Sequence, residues 1–556
     1  MKVISTKRFW FLLLLSATFL LGFRAGDLFE IAKSMDIFGK VYTEINTVFV
    51  DETNPTELMR TGIDSMLKNL DPYTNYFSES QIETSKIFST GEYSSIGAEV
   101  GLRGERILLL ELFEKSPAFE AGLLVGDQIM RIDQEEVFES GMSLDDVNSL
   151  LLGERGSKLT LTIKRPGESE LKSIEVSRGG TETQAENVPY FAMATPEVGY
   201  ILQTGFMSNA GREVATALKK LQDENAEMKA VILDLRGNPG GQLNEAVNVS
   251  NVFVPQNELI TEMKGRSKTS KAKFYTRMPA IDEEIPVAVL VNGNSASASE
   301  IVSGSIQDLD RGVVVGQRSF GKGLVQNFRP LSYNTQMKVT IARYYTPSGR
   351  CIQAIDYSNR SEDGSVSKVA DEQISEFKTR NGRPVFDGGG VMPDLPIDKK
   401  ERPPVLKALT EQGFIFDFVT VFAQANETIE GPRDFRLTDE IYEDFSKFVK
   451  EKGLQFSTLS ESQIESLQKS LVRNGYDGDM EALLAGVEEK LEAEKKQDLL
   501  RHKEAIKREL KREIINRYYF KQGVLESAFV DDPVILKAVE TVLDEEAYKK
   551  ILSGQN

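Results

Sequence analysis

Histidine and cysteine are almost missing from this chain: one of each, His502 and Cys351, in 556 residues. A single cysteine excludes an internal disulfide framework and any metal site built from several thiolates. A single histidine narrows catalysis further. His502 lies in LLRHKEAIKREL, a charged stretch with helical spacing, and reads as a solvated surface residue. On that reading Ser-His-Asp and Cys-His catalysis are excluded, and so are His-rich zinc sites. Positive charge is also scarce, with 67 Lys and Arg against 85 Asp and Glu, a net charge of −18. Such a surface repels phosphate backbones, so nucleic acid is not expected as a partner. At 40% hydrophobic and 27% charged residues, the chain has the composition of folded protein and the length for several domains. Any enzyme here must run without histidine.

The longest hydrophobic run is FWFLLLLSATFLLGF, Phe9 to Phe23, 15 residues that follow Lys2, Lys7 and Arg8. A basic stretch before an apolar segment of this length is a secretory signal pattern. It is shorter than the roughly 20 residues of a comfortable membrane span. No cysteine follows it, which excludes a lipoprotein-type anchor. FRAGD offers small residues without a clear A-x-A, so a cleaved signal peptide and an uncleaved anchor both stay open for residues 1–26. The expectation is an exported, periplasmic protein, free or held to the inner membrane. The lack of disulfides does not oppose export, because a large core does not need them.

Residues 27–82 read as helix, with Ile31, Met35, Phe38, Val41 and Ile45 at helical spacing, ending in the turn-rich NLDPYTNYFS. Over 83–182 the texture changes to short β-rich runs, among them ILLLEL, DQIMRI and KLTLTIKR. Between the first two, Ser116 is placed to cap a short helix and Gly122 to end it. This segment resembles a PDZ domain. SSIGAEVGL matches its carboxylate-binding loop, contributed by Ile96, Gly97, Ala98, Glu99 and Val100, and SPAFEAGLLVGDQIMRID and LLGERGSKLTLTIKR follow. PDZ domains take a peptide as an added strand and hold its terminal carboxylate in backbone N–H groups. From 183 to 400 near-continuous apolar strands alternate with helices, the pattern of an α/β domain. Residues 401–556 are helical and charged. LLAGVEEKLEAEKKQDLLRHKEAIKREL interleaves both signs at three- and four-residue spacings, a solvated face with no catalytic pattern.

Three turns between strands and helices could carry chemistry. VNGNSASASEIVSG contains Ser297-Ala298-Ser299-Glu300, an S-x-x-E box in which Ser297 could be a simple helix cap. Equally, a serine at a helix start exposes its hydroxyl beside free N–H groups that stabilise developing negative charge. DLRGNPGGQ supplies Gly237, Gly240 and Gly241, which suit an oxyanion site or a tight structural turn alike. GQRSFGKGLVQ nearly matches a P-loop, but Gly323 stands where Ser or Thr must bind magnesium, and Pro330 comes too soon for the following helix. Lys322 can instead replace histidine as a base if its pKa falls from about 10.4 to about 7–8. That demands burial away from carboxylates, and there is no Asp or Glu between 311 and 328. Gln326 offers an uncharged oxygen to orient the amine.

Together, LDLRGNPGG, NSASASEI and SFGKGLVQ after a PDZ-like segment, with YYTPSGRCIQ beyond them, resemble the C-terminal processing (tail-specific) peptidases, a Ser-Lys serine protease family. The resemblance covers about residues 40–400. It implies that the middle serine of the SASAS run, Ser297, is the nucleophile. The base would be Lys322, 25 residues on, supported by Gln326. Oxyanion donors would be the backbone N–H groups of Ala298 and Gly241, with Gly240 the alternative. Asp308 matches an acidic position and reads as structural. The implied fold is multidomain α+β: a crotonase-like α/β protease core with a PDZ domain and helical N- and C-terminal regions. The implied activity is an ATP-independent serine endopeptidase that recognises protein C-terminal tails, with no metal or organic cofactor. Attachment to a membrane by the N-terminal segment and self-association through the helical ends stay open. Residues 401–556 have no counterpart in the shorter members. Two rival readings remain: a non-catalytic PDZ scaffold with a dead protease core, and a Ser-Lys hydrolase of an amide or ester on a small molecule.

Overall fold

The computed structural model describes residues 28–79, 81–82, 93–138, 140–179, 186–360, 365–398, 401–476 and 478–554. The signal segment 1–26 and the first residues of the β-rich segment, 83–92, lie outside them. The chain divides into two units. The first takes Met1–Glu79 with Gln326–Thr340 and Glu362–Gly364, and the second takes the remainder.

In the first unit the expected helical stretch is two helices, over 28–48 and Pro55–Lys68. Pro55 cannot continue a helix but suits the first turn of a new one, and Asn54 caps it by accepting from the N–H groups of Thr56 and Glu57. The turn-rich patch after it holds a short strand, Asn75–Phe77, paired antiparallel with residues 336–338. Helix Pro55–Lys68 buries no residue. Leu28, Ile31, Met35 and Val41 of the first helix are all more than half exposed, at 67, 60, 65 and 53%.

The second unit opens with an antiparallel sheet. Strands β1 (Ala98–Arg103), β2 (Arg106–Leu112), β3 (Gln128–Ile132), β4 (Lys158–Lys164) and β5 (Leu171–Ser177) lie in that order, so β1 is an edge. Helix α1 (Leu144–Leu151) closes a core of Ile96, Leu109, Ile129, Val147, Leu161 and Ile163. Ser116 caps a short helix as expected, accepting from Phe119 N–H at 3.2 Å.

The α/β part has six strands in chain order: β6 (Tyr190–Thr195), β7 (Val198–Leu202), β8 (Ala230–Asp234), β9 (Val287–Val291), β10 (Val313–Gly316) and β11 (Leu395–Pro396). All neighbours from β7 onward are parallel, and β6 is antiparallel. Alternate residues of a strand face opposite sides. Val231, Leu233, Val287, Val289 and Val291 pack against α2 (Ala210–Glu224), α3 (Leu243–Phe253) and α4 (Ala298–Asp308). Tyr200, Ile232, Ala288 and Leu290 face the other way.

That second face corrects the solvated-tail expectation. Helices α5 (Phe414–Ala425) and α6 (Lys503–Ala528) belong to their own core with Ile506, Leu510, Ile514 and Ile515. Beyond them α7 (Pro533–Leu543) and α8 (Glu545–Ser553) lay Val534, Ile535, Ala538, Val542 and Tyr548 on the open face of the sheet. Charge alternation describes residues 459–495, which are mostly exposed, but not 506–515 or 529–548. His502 is half-buried at the junction before α6, not fully solvated.

Candidate active site

Strands β8 and β9 are parallel neighbours, so the turns that follow them emerge side by side at the carboxyl edge of the sheet, where α/β folds place their sites. The two turns are stitched together. Ser295 Oγ donates to Leu235 O at 2.8 Å and accepts from Asn292 N–H at 2.9 Å. Asn238, only 1% exposed, donates its amide to Gln203 O at 2.8 Å, and its Oδ1 accepts Gly240 N–H at 2.9 Å. Its carbonyl accepts from Ala296 N–H at 3.0 Å and from Ser299 Oγ at 2.9 Å.

This stitching separates the three serines of the run. Ser295 and Ser299 are buried with their hydroxyls engaged. Ser297 is half-buried at the N-cap of α4, where the S-x-x-E box forms with Glu300. It sits at φ 56°, ψ −110°, a strained conformation for a non-glycine residue, at the start of α4. The acid of that box faces back to the serine's backbone. Glu300 Oε2 accepts Ser297 N–H at 2.8 Å.

Glu300 is fully buried and does more. Oε2 also accepts Lys322 N–H at 2.9 Å, while Oε1 accepts Gly321 N–H at 2.7 Å and Ser319 Oγ at 2.5 Å. From the opposite side the buried Tyr344 shares its O–H between Ser297 O at 3.0 Å and Lys322 O at 2.6 Å. Tyr344 comes from residues 342–345, which pair with the strand Leu259–Gly265. One carboxyl therefore holds the N–H groups of both candidate residues, and one phenol holds both carbonyls. Counting along the chain from 311 to 328 does not show this carboxyl, which meets Lys322 at its backbone N–H. Burial lifts the Glu300 carboxyl to about 7, against the hydrogen bonds from Ser319, Lys322, Gly321 and Ser297 that favour its charged form. Burial first, and then the charges of Glu300 and Cys351, keep the Tyr344 hydroxyl protonated well beyond its ordinary range.

The glycines press on the same point. Gly240 has φ +99°, and a Cβ there would come within 2.9 Å of both Ser297 Cβ and Ala298 N. A Cβ on Gly241 would lie 2.6 Å from Phe206 O. Of the candidate donors, Gly240 N–H is engaged by Asn238, whereas Ala298 and Gly241 N–H have no acceptor among the described residues. Asp308 stands at the far end of α4 in a fully buried pair with Arg350 at 2.8 Å, a structural position. Gln326 belongs to the first unit, where its amide donates to Thr340 Oγ1 at 3.2 Å. In the β-rich segment Ile96 is buried, and Gly97 at φ +79° leaves no room for a Cβ, which would meet Ser116 Cβ at 2.4 Å. Ala98, Glu99 and Val100 begin the edge strand β1, whose outer side is unpaired among the described residues.

Sequence reading saw Glu300 as a cap partner only, although the S-x-x-E spacing was its signal. Tyr344 and Asn238 stand in the YYTPSGRCIQ and LDLRGNPGG motifs, but their roles arise from contacts between segments far apart in the chain.

Comparisons with known proteins agree with this layout. Residues 197–362 match Peptidase family S41, residues 114–165 match a PDZ domain, and residues 405–542 match the probable PDZ-protease C-terminal helical domain. A carboxy-terminal-processing protease of Bartonella bacilliformis is 33% identical over 325 residues, 58% of this chain and 73% of that protein. The carboxy-terminal processing protease CtpB of Bacillus subtilis is 32% identical over 324 residues, 58% of this chain and 66% of that protein. Among solved structures, a photosystem II D1 C-terminal processing protease is similar at 25% identity and TM-score 0.35, covering 65% of this chain and 92% of that one. Strands, turns and relatives converge: the chain belongs to the carboxy-terminal-processing proteases of peptidase family S41, serine-type peptidases with a PDZ domain.

Proposed function

We propose that the protein is an exported, ATP-independent endopeptidase that cuts with a Ser297–Lys322 dyad after its PDZ domain has captured a substrate's C-terminal tail. The observation that carries this reading is the double clamp of Glu300 and Tyr344 on the backbones of Ser297 and Lys322. Neutral Lys322 takes the proton of Ser297 Oγ as the hydroxyl attacks the scissile carbonyl. The N–H groups of Ala298 and Gly241 hold the oxyanion, and Lys322 returns the proton to the leaving amine. Water then releases the acyl group by the same base. Gln326 enters as the partner of Lys322 on family resemblance. The reaction calls on no metal or organic cofactor. The open edge of β1 suits a tail added as a strand, with its carboxylate at the Ile96–Gly97–Ala98 backbone and an apolar last residue. Tail binding then shifts the PDZ domain in favour of the active dyad. Cleavage of short peptides that stays equal or rises on deleting residues 83–182 would refute that activation.

Export and attachment rest on residues 2–23, and among the described residues no helix is long and apolar enough to cross a membrane. Self-association rests on the exposed apolar face of the 28–48 helix, for which a second copy of the chain is the proposed cover. Ile31→Asp with Met35→Asp, read by light scattering, should then yield monomers.

The test of the activity is an unfolded reporter ending in an apolar or an acidic tail, incubated with the intact protein or Ser297→Ala. Cleavage by the intact protein alone, faster on the apolar tail, supports the reading. Cleavage by both proteins refutes it.

A further inference from the structure

The turn that carries Gly240 and Gly241 begins just after Asp234, and its second residue is Arg236. That guanidinium is gripped on two sides. Nε and Nη2 donate to Asp234 Oδ2 at 2.9 and 2.6 Å, and Nη1 donates to Asp532 Oδ2 at 2.7 Å. Asp234 is itself fixed, since it accepts the Tyr200 hydroxyl at 2.7 Å and the Arg236 N–H at 2.9 Å. Asp532 lies nearly 300 residues away, at the N-cap of α7, where Oδ1 accepts the N–H groups of Val534 at 2.8 Å and Ile535 at 3.3 Å. Its two oxygens divide the work: one caps the helix and the other holds Arg236.

This matters because α7 is packed on the sheet through Val534, Ile535 and Ala538, so Asp532 is a fixed point rather than a mobile side chain. The turn it anchors ends at Gly241, whose N–H must meet the oxyanion within a few tenths of an ångström. Misplacing such a donor costs rate and leaves ground-state binding untouched.

We propose that Asp532 is a positioning residue for peptide cleavage: through Arg236 it sets the turn that presents the Gly241 N–H, which makes the C-terminal helical segment part of the working site. The inference rests on the reading of Ser297 and Gly241 given above. It assigns residues 529–553 a catalytic task that their charge pattern does not reveal.

Two substitutions separate positioning from folding. Asn caps a helix as well as Asp does, so Asp532→Asn keeps the cap and removes the charge on Arg236. Glu is a poor cap but keeps a carboxylate within reach, so Asp532→Glu weakens the helix and retains the grip. The probes are the apolar-tailed reporter, a peptide aldehyde that adds reversibly to the Ser297 hydroxyl and leaves its oxygen in the oxyanion site, and the same peptide as an unreactive amide. For Asp532→Asn we expect kcat to fall by about tenfold, a fraction of the roughly 10²–10³ lost when an oxyanion donor is removed. The aldehyde should weaken by the same factor, with KM, amide binding and Tm at their intact-protein values. Asp532→Glu should lose Tm and keep kcat, and Glu540→Ala at an exposed position of α7 should change neither. Intact-protein kcat in Asp532→Asn would overturn the proposal. So would equal losses for aldehyde and amide, or kcat losses that follow Tm across both variants. Ser297→Ala keeps the two claims apart: if it still cuts, the site reading has failed, whereas an inactive Ser297→Ala beside a fully active Asp532→Asn refutes the positioning role alone.

Discussion

The C-terminal helices meet the rest of the second unit in two different ways. Against the core sheet, Phe529, Ile535, Ala538 and Val542 are buried on Tyr200, Ile232 and Leu290, and Tyr548 Oη accepts Val287 N–H at 2.9 Å. Against the PDZ domain the contacts are of another kind. Gln424 donates to Pro166 O, Arg517 Nη1 to Val125 O at 3.2 Å, and Lys521 pairs with Glu111 at 2.9 Å. One edge-to-face ring pair, Phe119 with Phe520, stands beside them, and a cavity of about 220 Å³ lies between the two surfaces. The first contact is continuous hydrophobic core and should not open without unfolding. The second is made of polar and aromatic side chains. One helical region thus adds a hydrophobic layer to the peptidase core and meets the PDZ domain through polar and aromatic side chains.

The comparison breaks most sharply at the core. Cutting the chain after Ala528 removes Phe529, Val534, Ile535, Val542 and Tyr548, at about 1.5–3 kcal/mol each. That approaches the whole stability of a typical domain, roughly 5–15 kcal/mol. The truncated chain should fail to fold, seen as loss of the cooperative thermal transition.

Next in size is Gly240→Ala. Its new methyl would collide with Ser297 and Ala298, so kcat should fall by at least about 10², the scale of a lost oxyanion donor, with the fold retained by circular dichroism.

Glu300→Gln comes third, because an amide cannot accept at both oxygens. Its pH signature is specific. The folded carboxyl titrates near 7, above its ordinary 4.5, so its contribution to stability is present below about pH 4.5 and lost as pH rises through 7. The Tm of the intact protein should therefore fall relative to Glu300→Gln between pH 5 and pH 8, and a constant difference would contradict the buried acid.

Smallest is the PDZ dock. Lys521→Ala removes an ion pair between an exposed lysine and the mostly buried Glu111, worth about 1 kcal/mol or less. It should leave Tm unchanged while increasing hydrogen exchange in β2 and β3.

The elements were largely legible because their signals are local. The expected strands ILLLEL and KLTLTIKR are found at Arg106–Leu112 and Lys158–Lys164. The site was legible as motifs, not as a mechanism of support. NSASASE and SFGKG name Ser297 and Lys322, but only the fold shows that Glu300 and Tyr344 bind them together. Asp532 was invisible for the same reason: an ordinary helix cap acquires a second duty from a contact 296 residues away in the chain. The solvated-tail reading failed where interspersed charge hid a buried stripe, Ile506, Leu510, Ile514 and Ile515.

The central claim is that Ser297 is activated by Lys322 within the Glu300–Tyr344 clamp. Its most direct test is covalent labelling of the intact protein by a fluorophosphonate, located by peptide mass spectrometry and timed from pH 6 to pH 10. The account predicts a single adduct on Ser297 that forms faster as pH rises through the lysine's titration and is lost in Lys322→Ala. An adduct elsewhere, or labelling of Ser297 at a rate independent of both pH and Lys322, would contradict it.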